Sequence, residues 1–507
     1  MGAEAHSPRR RVPLLATLLV AWAFSVVCCS GGRAAAVRGL FTVEPLRIAI
    51  VTTGARASSG LRANMIADAI AQNRDTVDRE LGLKSAVQLV DLGDLSKLNA
   101  TSIDAKWPDG IYPHMLILIK RVFPLQLLPL LAERCIMPAT DVLDRTDITD
   151  DLIRSHGLLG PPFIEATNLT LPRMLLIVQT DATAAHIERS RPTAAEARRS
   201  PELLSRTAPL LAVVPHQHTN VGGWRVRKPV ASLRPVRKIG ILAGNRMNKP
   251  SENETLQLAT AACDIAGASL VVINENKVGG RRATITTYTC DRRRTLVLPP
   301  RNTHGQNPSR SQLGKDCGKL KNAPTTCFSM SSQAFYHDVP WIDEIDVALL
   351  WPSQQNYRSN ELEARPPTRM LFWWSHGVPT IFYPFAAYVE VARAAGYELP
   401  ARSPRKAGKV RPRLAGWAAA DMSPVVATAT AALRLPVATS IVVFSQVLRR
   451  LVSDSGARRT LADVGLLAVQ RYSPMAVGVQ LLRAAHDAVA SQPECTRRGA
   501  ALGRKPN

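Results

Sequence analysis

Two arginines at the start of a short element suggest a phosphate-binding site. Arg365 and Arg369 flank Pro366 and Pro367, and proline is favoured in the first turn of a helix, where its missing N–H costs nothing. The free N–H groups of that turn already supply positive potential, so two guanidinium groups are unfavourable there unless an anion is bound. A diphosphate would satisfy the helix end and both arginines. The alternative is a buried helix–strand unit whose arginines point to water.

Two histidines form a second group with chemical potential. His216 and His218 lie in a polar segment, 215–220, that follows an apolar run. If the segment is extended, their spacing places both rings on one side, and a loop at the end of a strand suits a general base. Structural or surface histidines are the alternative. A metal pair is not favoured because no third ligand is indicated.

The element that must position the arginines is a short helix. Its apolar face would carry Met370, Trp373 and Trp374, and Gly377 would end it, because glycine suits a left-handed cap and Pro379 follows. Residues 380–382 then read as a short buried strand.

The rest of the chain alternates apolar strands with helical periods, which is typical of an α/β protein with mostly parallel sheets. Two similar strand–loop–helix beginnings, at Leu46 and Lys238, and a length of 507 residues predict two domains, 41–232 and 233–490. No GxGxxG pattern follows Leu46, so no dinucleotide is inferred. The predicted strands are 46–51, 86–90, 114–119, 174–179, 211–214, 238–243, 268–274 and 342–350. The predicted helices are 61–71, 252–266, 444–451, 458–469 and 474–489.

The segment 275–335 is rich in Gly, Pro, Asn and Arg and has few apolar periods, so we expect a long irregular insertion in the second domain. Cys290, Cys317 and Cys327 lie within it. One disulfide among them would restrain the insertion in an oxidising lumen, with the pairing left open. The cysteines show no zinc spacing.

The N-terminus predicts entry into the secretory pathway. Arginines at 9–11 precede an apolar run over 12–29, so residues 1–40 are a cleaved signal peptide or a type II membrane anchor, with an organellar transit peptide as the alternative. The protein would then be secreted or lie in the ER or Golgi lumen. Glycosylation triplets begin at Asn99, Asn168 and Asn253. Residues 491–507 form a basic tail.

The formal net charge of +24 does not by itself indicate nucleic-acid binding. The arginines cluster in loop-like segments without the interleaved aromatic residues that stack on bases. We therefore expect no nucleic-acid partner. Solvated loops, in some cases near anionic membrane or polysaccharide, account better for the charge.

A family resemblance emerges from the order of these motifs. Five features together resemble the donor-side domain of GT-B glycosyltransferases. They are the strand at 346–350, the run Arg365-Pro366-Pro367-Thr368-Arg369, the run Trp374-Ser375-His376-Gly377-Val378-Pro379-Thr380, Pro384 and Glu390. The segment 448–482 is similar to the C-terminal helices of that group. The resemblance covers roughly residues 238–489 without the insertion.

The resemblance implies two Rossmann-like domains facing a cleft and a sugar transferred from a nucleotide-sugar donor to a glycan, protein or lipid acceptor. The second domain would hold the donor. The implied donor-binding residues are Gly244 and Asn245 near the diphosphate, Arg365, Thr368 and Arg369 at the phosphate-binding helix, and Glu390 near the ribose or sugar. The implied acceptor-side residues are Gly60, in a loop, and His216 or His218 as the base.

No cofactor is expected, because the nucleotide sugar is a substrate, and the absence of any Asp-x-Asp from the sequence argues against a metal-dependent GT-A enzyme. Two other functions stay open. One is a non-catalytic lumenal or surface protein that binds a glycan or partner with the same two-domain shell. The other is a sugar-nucleotide epimerase or hydrolase on that scaffold.

Overall fold

The structure is a computed structural model. It describes residues 45–52, 57–121, 123–124, 127–142, 174–189, 210–219, 234–243, 250–276, 282–297, 325–329, 342, 344–351, 367–396, 438 and 440–491. The chain divides after Pro45 into two units, and every element below belongs to the unit Leu46–Asn507. The predictions for residues 1–40, for residues 491–507 other than Ser491, and for Gly244, Asn245 and Arg365 concern positions outside the described residues.

The first sheet consists of six parallel strands in the order β2-β1-β3-β4-β5-β6 within the described part of the chain. Its strands are β1 (Leu46–Val51), β2 (Ser85–Val90), β3 (Met115–Ile119), β4 (Met137–Asp141), β5 (Leu175–Val178) and β6 (Leu210–Val213). The central strands are almost entirely buried, as expected for a parallel sheet with both faces covered. The predicted strands of this sheet are confirmed within one residue at each end, and β4 was missed.

Helices alternate with these strands. They are α1 (Ala57–Gln72), α2 (Arg74–Leu81), α3 (Ala100–Asp104), α4 (Leu127–Glu133) and α5 (Asp181–Arg189), with a 3₁₀ turn at Leu95–Lys97. Helix α1 begins four residues before the predicted start at Leu61. The prediction was late because the first turn of a helix needs no apolar residue, and the apolar period begins only at Leu61. The glycine at position 60 therefore lies inside α1, and the prediction that it lies in a loop was wrong.

The second sheet has seven strands in the described residues. They are β7 (Lys238–Ala243), β8 (Ser269–Asn276), β9 (Arg282–Cys290), β10 (Leu296–Val297), β11 (Thr325–Ser329), β12 (Val347–Leu350) and β13 (Thr380–Phe382). Strands β8-β7-β12-β13 run parallel. Strands β10 and β11 pair with β9, and β9 pairs with β8, all antiparallel. The α/β class with two largely parallel sheets is thus confirmed.

The antiparallel edge corrects two expectations about the insertion. Segment 275–335 was expected to be irregular, yet it supplies β9, β10 and β11. Strand β9 reads RATITTYTC, whose β-branched and aromatic residues favour a strand despite the polar composition. The disulfide was expected among Cys290, Cys317 and Cys327, but Cys290 is paired with Cys263 in α6 (Glu252–Ala266), the helix that precedes β8. That pairing was missed because Cys263 lies outside the insertion.

The remaining helices follow the second sheet or flank it. They are α6 (Glu252–Ala266), α7 (Thr368–Ser375), α8 (Ala386–Ala394), α9 (Ile441–Ser453), α10 (Ser455–Val469) and α11 (Pro474–Ala490), with a 3₁₀ turn at Gln470–Tyr472. The predicted end of α7 is confirmed, since Gly377 has φ +69°. The predicted start of α11 is confirmed too, because the Ser473 side chain accepts from the Ala476 N–H and Pro474 occupies the first position.

Helix α11 returns to the first sheet and packs on α1. The two helices approach closely at Gly478, because a Cβ there would come within 2.9 Å of Ile70 Cγ1. Helix α11 therefore packs closely against α1. No helix in the described ranges has the length and apolar character that a membrane crossing requires, and the predicted anchor at 12–29 is not among those ranges.

Candidate functional site

The carboxyl edge of the first sheet carries a buried ion pair that the sequence did not reveal. Arg62 on α1 is fully buried and donates through Nε to Asp141, the last residue of β4. Asp141 also accepts from Gln179 Nε2 at 2.9 Å, directly after β5. Arg62 further donates to the carbonyls of Val214 and Pro215, after β6, at 3.1 and 2.9 Å. We call Arg62, Asp141 and Gln179 the Arg62 cluster.

The two predicted histidines follow β6 in the segment that the Arg62 cluster holds. His216 is buried, and its Nδ1 lies 2.8 Å from the Gln217 carbonyl oxygen. Because a carbonyl can only accept, Nδ1 carries the proton of that bond. His216 is thereby fixed in one tautomer by its own neighbour in the chain.

His218 is buried as well and makes a contact with the far end of the chain. Its backbone N–H donates to the Tyr472 carbonyl oxygen at 2.8 Å. Burial, together with the neighbouring His376, lowers the pKa of His218 to about 4. His218 is therefore a neutral imidazole at pH 7 and a weaker base than an ordinary histidine.

Glu390 joins the carboxyl edges of the two sheets. It lies on α8, which follows β13, and both carboxylate oxygens accept from the Asp181 N–H, at 3.1 and 3.0 Å, at the start of α5. Burial raises the pKa of Glu390 to about 7, although its bond to this backbone N–H opposes the rise. Burial and the Glu390 charge also raise the pKa of Tyr472. Residues of both sheets thus converge around Glu390.

The candidate phosphate helix, α7, begins at Thr368, and Pro367 directly precedes its first turn. Pro366 lies outside the described residues. Thr368 and Arg369 are partly buried. A short turn joins the C-terminal end of α7 to β13, so Thr368 and Arg369 lie toward the carboxyl edge of the second sheet, where ligands bind in open α/β folds.

The structure does not bring every candidate together. His218 adjoins His376, which caps the C-terminal end of α7, whereas Arg369 lies in its first turn. The eight residues of α7 make these ends about 12 Å apart, at 1.5 Å per residue. The roles of His216, His218, Thr368, Arg369 and Glu390 stay predictions, as does an acceptor role for Gly60. Among the described residues, no group of His, Cys, Asp and Glu side chains could hold a metal ion.

Comparison with known proteins gives a structural likeness only. No protein-family model and no curated protein matches the chain. The chain is similar to the α,α-trehalose 6-phosphate synthase of Burkholderia multivorans, with 10% identity and a TM-score of 0.33 over 86% of this chain and 84% of that one. It is also similar to the α,α-trehalose-phosphate synthase (UDP-forming) of Burkholderia vietnamiensis, with 11% identity and a TM-score of 0.35 over 91% of this chain and 100% of that one.

Likeness at this level assigns neither a family nor an activity, and the fold class follows from the two sheets themselves. The chemistry of the site follows from its own groups. The first turn of α7 carries Arg369, and the N–H groups at the start of a helix lack intrahelical partners, so this end suits an anion. The segment after β6 offers a neutral imidazole, and Glu390 offers a carboxylate between the two sheets.

Proposed function

We propose that the protein is a glycosyltransferase that moves a sugar from a nucleotide-sugar donor to an acceptor hydroxyl without a metal ion. The observation that supports this most is the contact between Glu390 and the Asp181 N–H. It joins the carboxyl edge of one parallel sheet to that of another, and this edge is where open α/β sheets bind ligands. A donor on the second sheet and an acceptor on the first would therefore meet.

In the proposed step, the acceptor oxygen forms a bond to the anomeric carbon while the bond from that carbon to the diphosphate oxygen breaks. The nucleoside diphosphate leaves with the bonding electron pair. The N-terminus of α7, with Arg365, Thr368 and Arg369, would stabilise its negative charge in place of a divalent ion. Gly244 and Asn245 would contact the same diphosphate.

Glu390 would accept hydrogen bonds from the ribose or the sugar. Its oxygens already accept from the Asp181 N–H, so a bound donor would share or replace that bond. The acceptor proton would go to His216 or His218. We favour His218, because its imidazole is neutral at pH 7 and its Nδ1 has no hydrogen-bond partner among the described residues. His216 would act through Nε2, because its Nδ1 carries the proton of the bond to the Gln217 carbonyl.

A binding experiment tests the donor site first. Millimolar nucleoside diphosphates should raise the melting temperature, because a ligand that binds only the folded state stabilises it by mass action. Arg369→Ala should lose the shift. Arg393→Ala, which changes an exposed arginine on α8, should keep it. An unshifted wild type, or an equal shift in Arg369→Ala, would contradict the proposal.

A second function is favoured by one observation. His218 is a weak base, with a pKa lowered to about 4, and this suits a non-catalytic protein that binds a glycan or partner. Transfer assays with a panel of nucleotide sugars separate the two functions. A melting shift without turnover of any donor would favour the binding protein, and sugar release without an acceptor would indicate a hydrolase or epimerase.

We also propose a secretory location. The basic residues at 9–11 and the apolar run over 12–29 support it, as does the Cys263–Cys290 disulfide, because disulfides persist in oxidising compartments. Glycosidase treatment of the protein from cells should increase its electrophoretic mobility. An unchanged mobility together with cytosolic fractionation would contradict this location.

A further inference from the structure

We infer that Arg62 is a positioning residue, which holds the segment from Val214 to Gln217 in the shape that presents His218. No sequence motif points to Arg62. The effect of Arg62 on catalysis rests on the proposed function, whereas its effect on the shape of the segment from Val214 to Gln217 does not.

The first support is the set of hydrogen bonds that Arg62 makes. The guanidinium donates to the carbonyls of Val214 and Pro215 and to Gln217 Oε1, the last at 3.4 Å. These acceptors lie within four consecutive residues that end next to His218. A planar guanidinium has donors in a fixed fork, so it sets the direction of these carbonyls, and a lysine ammonium could not bond them in the same geometry.

The second support is the burial of the charge. The side chains of Arg62 and Asp141 are 1% and 2% exposed. A buried ion pair adds little net stability compared with apolar residues of similar volume, because desolvation offsets the attraction. The pair is therefore better explained by the geometry it imposes. Asp141 orients the guanidinium from β4, and the guanidinium orients the segment after β6.

The third support is the way His218 itself is held. Its ring Nδ1 is buried and has no hydrogen-bond partner in the described part of the chain, so that nitrogen does not fix the ring. The backbone is fixed on both sides instead. Arg62 holds the residues before His218, and the Tyr472 carbonyl accepts from the His218 N–H at 2.8 Å. The ring position thus depends on the Arg62 cluster through the chain.

The test uses the full-length protein labelled with ¹³C at the histidine Cε1. The chain has 10 histidines, and loss of one signal in His218→Gln assigns His218. In Arg62→Lys, which keeps the charge and loses the fork, we expect the His218 signal to shift and its pKa to rise from about 4 toward the ordinary value of 6.5. The signal of His486, on α11, should stay in place. We expect kcat for transfer to fall by about ten- to a hundred-fold, with the donor KM unchanged.

Arg483→Lys is the matched control. Arg483 also donates to a backbone carbonyl, that of Glu80, at 3.3 Å, and it is remote from the His218 segment in sequence. It should leave the His218 signal and kcat unchanged. If Arg62→Lys does not fold, the double variant Arg62→Met/Asp141→Leu replaces the pair with apolar residues and should show the same displacement of the His218 signal.

The outcomes separate the two proposals. A folded Arg62→Lys with an unchanged His218 signal and titration would overturn the inference, whatever the activity. An equal shift in Arg483→Lys would overturn it too. A displaced signal in a protein that transfers no sugar from any donor would support the positioning role of Arg62 and contradict the proposed function.

Discussion

Asp141, which is buried, and Glu390, which is half-buried, lie at the carboxyl edges of the two sheets and are held in different ways. Asp141 faces the Arg62 guanidinium and the Gln179 amide, all within the first sheet and its helix. The oxygens of Glu390 accept instead from the backbone N–H of Asp181 across the two sheets. One charge is neutralised where it lies, and the other is balanced only by the end of a helix.

The difference indicates which contacts are permanent and which can change. Removing one member of the Asp141–Arg62 pair leaves a buried charge without a counterion, which is strongly unfavourable. The contact of Glu390 with α5 depends on its charge and on a helix terminus, whose effect is modest. The first contact fixes a shape, and the second can respond to pH or to a ligand.

The largest expected effect comes from breaking the first contact. Arg62→Met should lower the free energy of unfolding by about 3–5 kcal/mol, because Asp141 would remain buried without its cation. Denaturant unfolding of the two proteins measures this. The double variant Arg62→Met/Asp141→Leu should recover most of the loss, and a double variant as unstable as the single one would contradict the ion-pair explanation.

The next effect concerns rate rather than stability. Arg369→Ala should lower sugar transfer by roughly ten- to a thousand-fold, because one contact to the leaving group contributes a few kcal/mol to the barrier. Its melting temperature should change little, since Arg369 is only partly buried. Steady-state kinetics checks this against Arg393→Ala. Unchanged turnover in a folded Arg369→Ala would remove α7 from the donor site.

Helix α11 also packs against α1, and a substitution at Gly478 tests this contact. Gly478→Ala places a Cβ 2.9 Å from Ile70 Cγ1, and such overpacking costs about 1–3 kcal/mol. The melting temperature should fall accordingly. Adding Ile70→Ala removes the clash, so the double variant should be less destabilised than the sum of the two single changes. A purely additive result would show that α11 does not pack this closely on α1.

The last effect is the pH dependence of the Glu390 contact. The pKa of Glu390 is about 7 in the folded protein, against an ordinary value of 4.5 that applies to the unfolded chain. Between these two pH values, the folded protein therefore binds a proton that the unfolded chain has lost. Its contribution to stability therefore falls as pH rises from about 4.5 to about 7 and is constant above that range.

Glu390→Gln should flatten this slope, because a glutamine side chain does not titrate. Melting temperatures from pH 4 to pH 8 for the two proteins measure the difference. A slope that persists in Glu390→Gln would assign the titration to another group.

The strands could be predicted where burial alone decides them. Strands β3 and β5 are continuous apolar runs, β1 is apolar except for Arg47, and all three were found from the sequence. Strand β4 reads MPATD, and it was missed because a proline and two polar residues hide a strand that is nonetheless buried throughout. Strand β9 was missed for another reason, since its threonines count as polar although they favour extended backbone.

The candidate site could be predicted only in part. The histidine segment and the start of α7 were found because they follow recognisable turns and prolines. The contact of His218 with Tyr472 and that of Glu390 with Asp181 join residues far apart in the chain, and no local pattern encodes them. Arg62 had one sequence signal, a charged residue among the apolar residues of α1, which is typical of a buried ion pair or of a boundary position.

The Cys263–Cys290 bond has a consequence for any protease that cuts this protein. It joins the end of α6 to the end of β9 and so encloses β8 and the chain that leads from it to β9. A single nick anywhere between the two cysteines would leave the two fragments covalently linked. The cut protein would run as one band until a reductant is added, and only then separate into two.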